Sequence, residues 1–279
     1  MSNRIDATFE NLRNQGEKAF VAYVSAGDPD LERSLEILVA LAEAGADIIE
    51  LGMPFTDPMA DGPSIELASG RALAGGQDMS KTLVMVTAFR QGDDDTPIVL
   101  MGYYNPIYNY GLEDFACDAA DAGVDGLIIV DLPPEEEDEF SVFSKAAGID
   151  IVRLIAPTST DDRIGTLVEN ASGFVYYVSV RGITGTRSAA TDEIARNVAR
   201  IRKQTDLSVA VGFGIRTPEQ AAEVATVADA AVVGSAIVEH VAAGLDGNGK
   251  PSAGLVSDTL AFVSDLSAAV RNARQDVAP

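Results

Sequence analysis

The sequence predicts an α/β protein built as a (β/α)8 barrel with an extra N-terminal helix, and three observations lead there. Short apolar or β-branched runs alternate with longer amphipathic ones, the pattern of a parallel sheet with crossover helices. Runs of the first kind number eight, and eight parallel strands with eight crossovers close most simply into a barrel. No Gly-x-Gly-x-x-Gly follows the first run, which weakens the open doubly wound sheet as an alternative. At 279 residues, nearly half of them apolar, the chain suits one large barrel over 1–279 better than two modest domains.

Taken in order, Arg4–Gln15 reads as a helix that precedes the first strand and is placed to plug the barrel floor. The strands are read at Ala19–Ser25, Asp47–Leu51, Pro97–Met101, Gly126–Val130, Asp150–Ile155, Gly173–Val180, Ser208–Gly212 and Ala230–Val233. A helix over Asp30–Ala44 follows Asp28-Pro29 and stops at Gly45, and Thr217-Pro218 opens another with proline at the favoured first position. Glu43-Ala44-Gly45-Ala46-Asp47 and Asp121-Ala122-Gly123-Val124-Asp125 repeat one device: a helix end, a glycine able to take positive φ, then the next strand. Gly244–Pro251 is a solvent loop before the last helix.

The charge is lopsided, with 43 acidic against 20 basic residues, net −23, and a pI near 4.2. Such a field repels phosphate backbones and argues against nucleic-acid or anionic-membrane partners. Only five of the basic residues are lysines, and runs such as Asp93–Asp95 and Glu135–Glu139 point to a halophilic surface. The opening Met1–Asp6 carries no basic-then-apolar leader and no apolar run approaches the length of a membrane span, so a soluble, cytoplasmic protein is expected. Cys117 alone excludes an internal disulfide and a thiolate-rich metal site, and in its helical setting a buried, inert thiol is expected. With one histidine, His240, a His-based metal site or a Ser-His-Asp triad has no material, and no metal is expected.

Chemistry in such a barrel gathers where strands end. Strand two ends Glu50-Leu51-Gly52, and Glu50 shares a face with Ile48 and Gly52. A carboxylate there is costly unless paired, protonated or at the wet mouth. A mouth position raises its pKa toward acid–base work, and a salt-bridged strand end is the other reading. The loop from Met53 to Ser64 holds three prolines and two aspartates, a stiff segment. Its Asp61 is either a second functional acid or the N-cap of the helix that follows. Three glycine-bearing loops close consecutive strands: Gly182-Ile183-Thr184-Gly185, Gly212-Phe213-Gly214-Ile215 and Gly234-Ser235-Ala236-Ile237. Their amides, with the helix that opens at Gly234-Ser235, suit a phosphate.

The stretch from Glu50 to Pro63 closely resembles the signature of the tryptophan synthase α subunit, a TIM-barrel family. The resemblance runs along the whole chain, through Ala19–Tyr23, Ala26–Pro29, Gly185-Thr186-Arg187 and the last two strand-end loops. It implies a carbon–carbon lyase of L-tryptophan biosynthesis that splits indole-3-glycerol phosphate into indole and D-glyceraldehyde 3-phosphate. Glu50 matches the family's acid–base residue, Asp61 the carboxylate that holds the indole N–H, and Tyr176 an active-site tyrosine whose neighbour Tyr177 alternates away. Thr184, Gly185, Gly212, Phe213, Gly214, Gly234 and Ser235 fall on phosphate positions, and Tyr23, Met101, Ile128 and Ile155 on indole contacts. Two departures stand out: Tyr23 where phenylalanine is common, which adds a hydroxyl needing a partner, and Ser179–Gly182, worded unlike the usual sixth loop.

The resemblance also implies a β subunit in an αββα heterotetramer, which receives indole through a tunnel and activates the α reaction. No lysine-anchored cofactor motif occurs here, so no cofactor is expected in this chain and pyridoxal phosphate belongs to the β subunit. Pro54–Asp61 and Tyr103–Pro106 are the surfaces expected at that interface. Two rival readings are another phosphosugar barrel, an isomerase or epimerase, and a weakly catalytic subunit that activates its β partner. The first has no reason to keep Glu50 and Asp61 in one stiff motif, and the intact carboxylates speak against the second.

Overall fold

Five strands are entered through a glycine in the left-handed region: Gly16 (φ 72°), Gly45 (φ 103°), Gly123 (φ 97°), Gly148 (φ 72°) and Gly173 (φ 70°). Each reverses the chain so that it can run back up the barrel. The computed structural model describes residues 3–179, 187–212 and 214–273, with backbone alone at 187–190.

The chain opens with α1 (Arg4–Gln15), β1 (Ala19–Ser25), α2 (Leu31–Ala40), β2 (Ile48–Gly52), α3 (Pro63–Ala74), α4 (Met79–Arg90) and β3 (Ile98–Gly102). It continues through α5 (Tyr104–Tyr110), α6 (Leu112–Ala122), β4 (Gly126–Ile129), α7 (Asp138–Ala147), β5 (Asp150–Ile151), β6 (Arg153–Ile155) and α8 (Asp161–Val168). It ends with β7 (Phe174–Val178), α9 (Arg187–Ile201), β8 (Ser208–Gly212), α10 (Pro218–Ala225), β9 (Ala230–Val233), α11 (Ser235–Ala243) and α12 (Leu255–Arg271). The strands form one sheet in the order β5-β4-β3-β2-β1-β9-β8-β7-β6, and every pairing is parallel.

The two ends of that order, β5 and β6, are separated only by Val152. The fifth stave changes partner at that residue: Ile151 lies beside Leu127 of β4 and Arg153 beside Val175 of β7. The sheet is thereby nearly closed into a barrel, as the sequence predicts, although the single strand expected over Asp150–Ile155 is two. The helix expected to reach Ala44 stops at Ala40, and Asp30 caps it by accepting from the Arg33 amide at 2.9 Å.

Alternation along each strand divides the core. Val21, Ile48, Val99, Ile128, Val152, Phe174, Ala210 and Val232 fill the interior, whereas Phe20, Ile49, Leu100, Leu127 and Val211 meet the helices. Ile5, Phe9 and Leu12 of α1 join the interior group, and Phe9 packs on Phe174 with ring centroids 5.8 Å apart. The helix is the floor of the barrel, and each of those side chains adds about 1.5–3 kcal/mol by leaving water.

Aspartates lace the floor. Asp47, Asp125 and Asp229, each just before a strand, accept from the Phe20, Ile98 and Val209 amides of the neighbouring strand at 2.8, 2.8 and 2.9 Å. Among the described residues, no helix is long and apolar enough to cross a membrane.

Cys117 is exposed rather than buried. Helix α6 turns Phe115, Ala116, Ala119 and Ala122 inward, which leaves position 117 on the outer face. His240 stacks on Phe262 at 5.0 Å, a packing role.

Candidate active site

Strand β2 carries Glu50 on the interior face, level with Tyr23 of β1 and Val99 of β3. The side chain is 2% exposed, and its Oε2 has no hydrogen-bond partner among the described residues. An ionised carboxylate so placed is costly. Burial first, then the charge of Asp61, push its pKa up to about 8. Among the described residues no salt bridge closes this strand, and a pKa raised that far favours the protonated carboxyl at neutral pH.

Asp61 lies in the stiff loop between β2 and α3. The N-cap of α3 is Gly62, so Asp61 is not spent on the helix. It hydrogen-bonds with the Tyr103 hydroxyl, and that hydroxyl also accepts from the Ala60 amide at 2.9 Å. Tyr103 follows the end of β3, is 2% exposed, and packs on Phe55 with centroids 5.5 Å apart. One buried ring therefore anchors the loop at both ends. Burial raises Asp61 to about 6, the Tyr103 bond opposes the rise and the charge of Glu66 adds to it.

The two acids share one cavity of about 170 Å3. Its wall is mainly apolar, with Met101, Val130, Leu154, Val178 and Val232 from the strands and Ile65 from α3. Tyr23 and Tyr176 add two phenols, and Gly214, Gly234 and Ser235 line the rim above β8 and β9. Tyr176 faces the cavity and Tyr177 the helices. Helix α11 starts at Ser235 with no side-chain cap, and its positive N-terminal end stands at the rim.

Several expected positions move. Ile155 packs against the helices; Leu154, level with Tyr176, takes its place in the wall. Ile128 is interior but sits below the cavity, and Val130, two residues nearer the mouth, lines it instead. Gly212 is absent from the lining; a Cβ there would lie 2.4 Å from the Tyr176 hydroxyl, so it seats that ring. Tyr103, expected at the surface, points inward, while Met59 and Tyr108 nearby are 84% and 57% exposed. Thr184, Gly185 and Phe213 lie outside the described residues. Sequence reasoning missed Tyr103 as a partner of Asp61; its place just past the end of β3 was the available signal.

A wall with two acids of unlike pKa beside an apolar slot suits proton transfer to and from a flat, largely apolar molecule. The family profile described as Tryptophan synthase alpha chain matches residues 9–270. The chain belongs to that family. Tryptophan synthase subunit alpha from Legionella pneumophila str. Paris is 39% identical, with a TM-score of 0.89 over 98% of this chain and 100% of that one. A structure from Aquifex aeolicus VF5 is 38% identical, with a TM-score of 0.85 over 97% and 100%. Tryptophan synthase from M. tuberculosis, in an aminoacrylate-bound form, is 36% identical, with a TM-score of 0.84 over 97% and 100%. Like other tryptophan synthase alpha chains, the protein is a TIM-barrel lyase of tryptophan biosynthesis.

Proposed function

We propose that the cavity cleaves indole-3-glycerol phosphate with Glu50 as acid and base and Asp61 as the fixed anion. The observation that carries this reading is the separation of the two acids: Glu50 raised to about 8 and Asp61 to about 6, in one cavity. Near pH 7 the first is a neutral donor and the second a carboxylate.

Glu50 gives its proton to indole C3, and the ring becomes an indolenine cation whose N–H Asp61 holds. The Glu50 carboxylate then takes the proton of the side-chain hydroxyl. The aldehyde C=O forms as the bond to C3 breaks, and that electron pair restores the indole ring. The proton lent is the proton regained. Tyr176 and Tyr23 border the reacting carbons, and Met101, Val130 and Leu154 flank the ring. The phosphate sits at Gly214, Gly234 and Ser235, whose amides meet it at the start of α11; Thr184, Gly185 and Phe213 belong to the same grip.

Indole passes to a β subunit in an αββα assembly, and pyridoxal phosphate resides in that subunit. The exposed Met59 and Tyr108 support a docking face beside the loop that carries Asp61. The excess of acids over bases supports work in concentrated salt, which screens the repulsion of an anionic substrate.

Indole release from indole-3-glycerol phosphate, followed spectroscopically, tests the assignment. Glu50→Gln is expected to lower kcat by about a thousandfold and Asp61→Asn by about a hundredfold, with the fold intact. Cleavage at the parent rate by Glu50→Gln would overturn the mechanism.

A further inference from the structure

Glu50 stands between two phenols that are seated alike. Tyr23 is its Cα partner across β1 and β2, and Tyr176 senses it from β7. A Cβ at Gly52 would lie 2.1 Å from the Tyr23 hydroxyl, as one at Gly212 would lie 2.4 Å from that of Tyr176. Each ring leans over the last glycine of the next strand, a place that any larger residue would fill. Gly234 closes the other side of Tyr23, since a Cβ there would lie 3.2 Å from the tyrosine's own Cβ. The Tyr23 ring is pinned, 7% exposed, with its hydroxyl over Gly52.

That placement brings it near Glu50. Gly52 and Glu50 share a strand face about 6.6 Å apart along β2, a gap that a glutamate side chain spans. The phenol keeps its proton, because burial and then the charges of Asp61 and Glu50 raise its pKa well above the ordinary value. A buried phenolic O–H needs an acceptor. The Ser25 side chain lies on the same face of β1 and opposes that rise, while its own Oγ has no hydrogen-bond partner among the described residues. The carboxyls that act on it are those of Asp61 and of Glu50, its partner across the strands, and the Oε2 of Glu50 is buried and unpartnered among the described residues.

We propose that Tyr23 is a positioning residue for Glu50: its pinned hydroxyl donates a hydrogen bond to the carboxylate each time Glu50 has delivered its proton. The inference rests on the acid–base role given to Glu50 above. Such a bond favours the charged form and limits how far burial and Asp61 raise the carboxyl. The titratable groups that face Glu50 are Asp61 from the loop after β2, Tyr23 from β1 and Tyr176 from β7, and Asp28 adds its charge at Tyr23. The Tyr176 hydroxyl lies over β8, away from β2.

Tyr23→Phe removes one oxygen and leaves the ring in its slot. In pH profiles of cleavage by the full chain, kcat at pH 7 is expected to fall about tenfold. The alkaline limb is expected to move up by about one unit, and KM to change by less than about twofold. A profile that superimposes on the parent's, or a rise in KM alone, overturns the proposal and leaves Tyr23 as pocket lining. Glu50→Gln in the same series separates the two failures. If it still cleaves, the acid–base reading falls and takes this inference with it; if it is inactive while Tyr23→Phe is unshifted, only the positioning role falls.

Discussion

Two carboxylates at the barrel floor, Asp125 and Asp229, and one at its mouth, Glu50, are treated in opposite ways. At the floor, Asp125 receives Arg90 at 2.7 Å, Arg4 at 2.9 Å and the Ile98 amide at 2.8 Å. Asp229 receives Arg202 at 2.8 Å and the Val209 amide at 2.9 Å. Burial pushes the Asp229 carboxyl up, but the Val209 amide, Arg202 and Lys18 outweigh it and hold the group below its ordinary value. At the mouth, Glu50 has no cation beside it among the described residues, and burial and the charge of Asp61 push it up to about 8. The same burial therefore yields a structural clamp where partners converge and a proton donor where they are withheld.

The contrast breaks if substitutions at the two ends have the same effect. Asp125→Ala leaves two arginines without their partner at the floor. It should lower stability by about 3–5 kcal/mol, a fall in Tm on the order of 10 °C, while each folded molecule cleaves at the parent rate. Glu50→Gln should do the reverse. The folded chain holds the Glu50 proton up to about pH 8, whereas an unfolded glutamate loses it near 4.5. Parent stability therefore falls as pH rises through that window. The variant lacks this loss, so it should melt above the parent at pH 8 and with it at pH 4. Denaturation at the two pH values checks both.

A finer contrast lies within one stave. Leu154 lines the cavity and its neighbour Ile155 packs under the helices. Leu154→Ala should raise KM about tenfold with a modest loss of stability. Ile155→Ala should cost about 2–4 kcal/mol of stability and leave KM unchanged. Equal kinetic effects would erase the distinction between the faces.

How far these features were legible follows from how local each one is. The hinges at Gly45 and Gly123 could be read because glycine, the helix before it and the strand after it are contiguous. The bond from each following aspartate to a neighbouring strand could not, since it exists only once strands pair. Glu50 was legible as an acid at a strand end, but that its Oε2 has no partner among the described residues is a property of the closed barrel. Asp61 looked like an N-cap until Gly62 proved to hold that place, and Tyr103 meets it only because β2 and β3 are neighbours. Leu154 was missed in favour of Ile155 because the facing side depends on register with Tyr176, set where the stave changes partner at Val152.

Infrared difference spectroscopy across a pH series, with Glu50→Gln as the reference, reads the protonation of Glu50 itself. A protonated-carboxyl band present at pH 7, missing in the variant and fading with a midpoint near pH 8 is the expected result. A band already gone by pH 5 would mean that Glu50 is an ordinary carboxylate, and the barrel mouth would hold no proton to give.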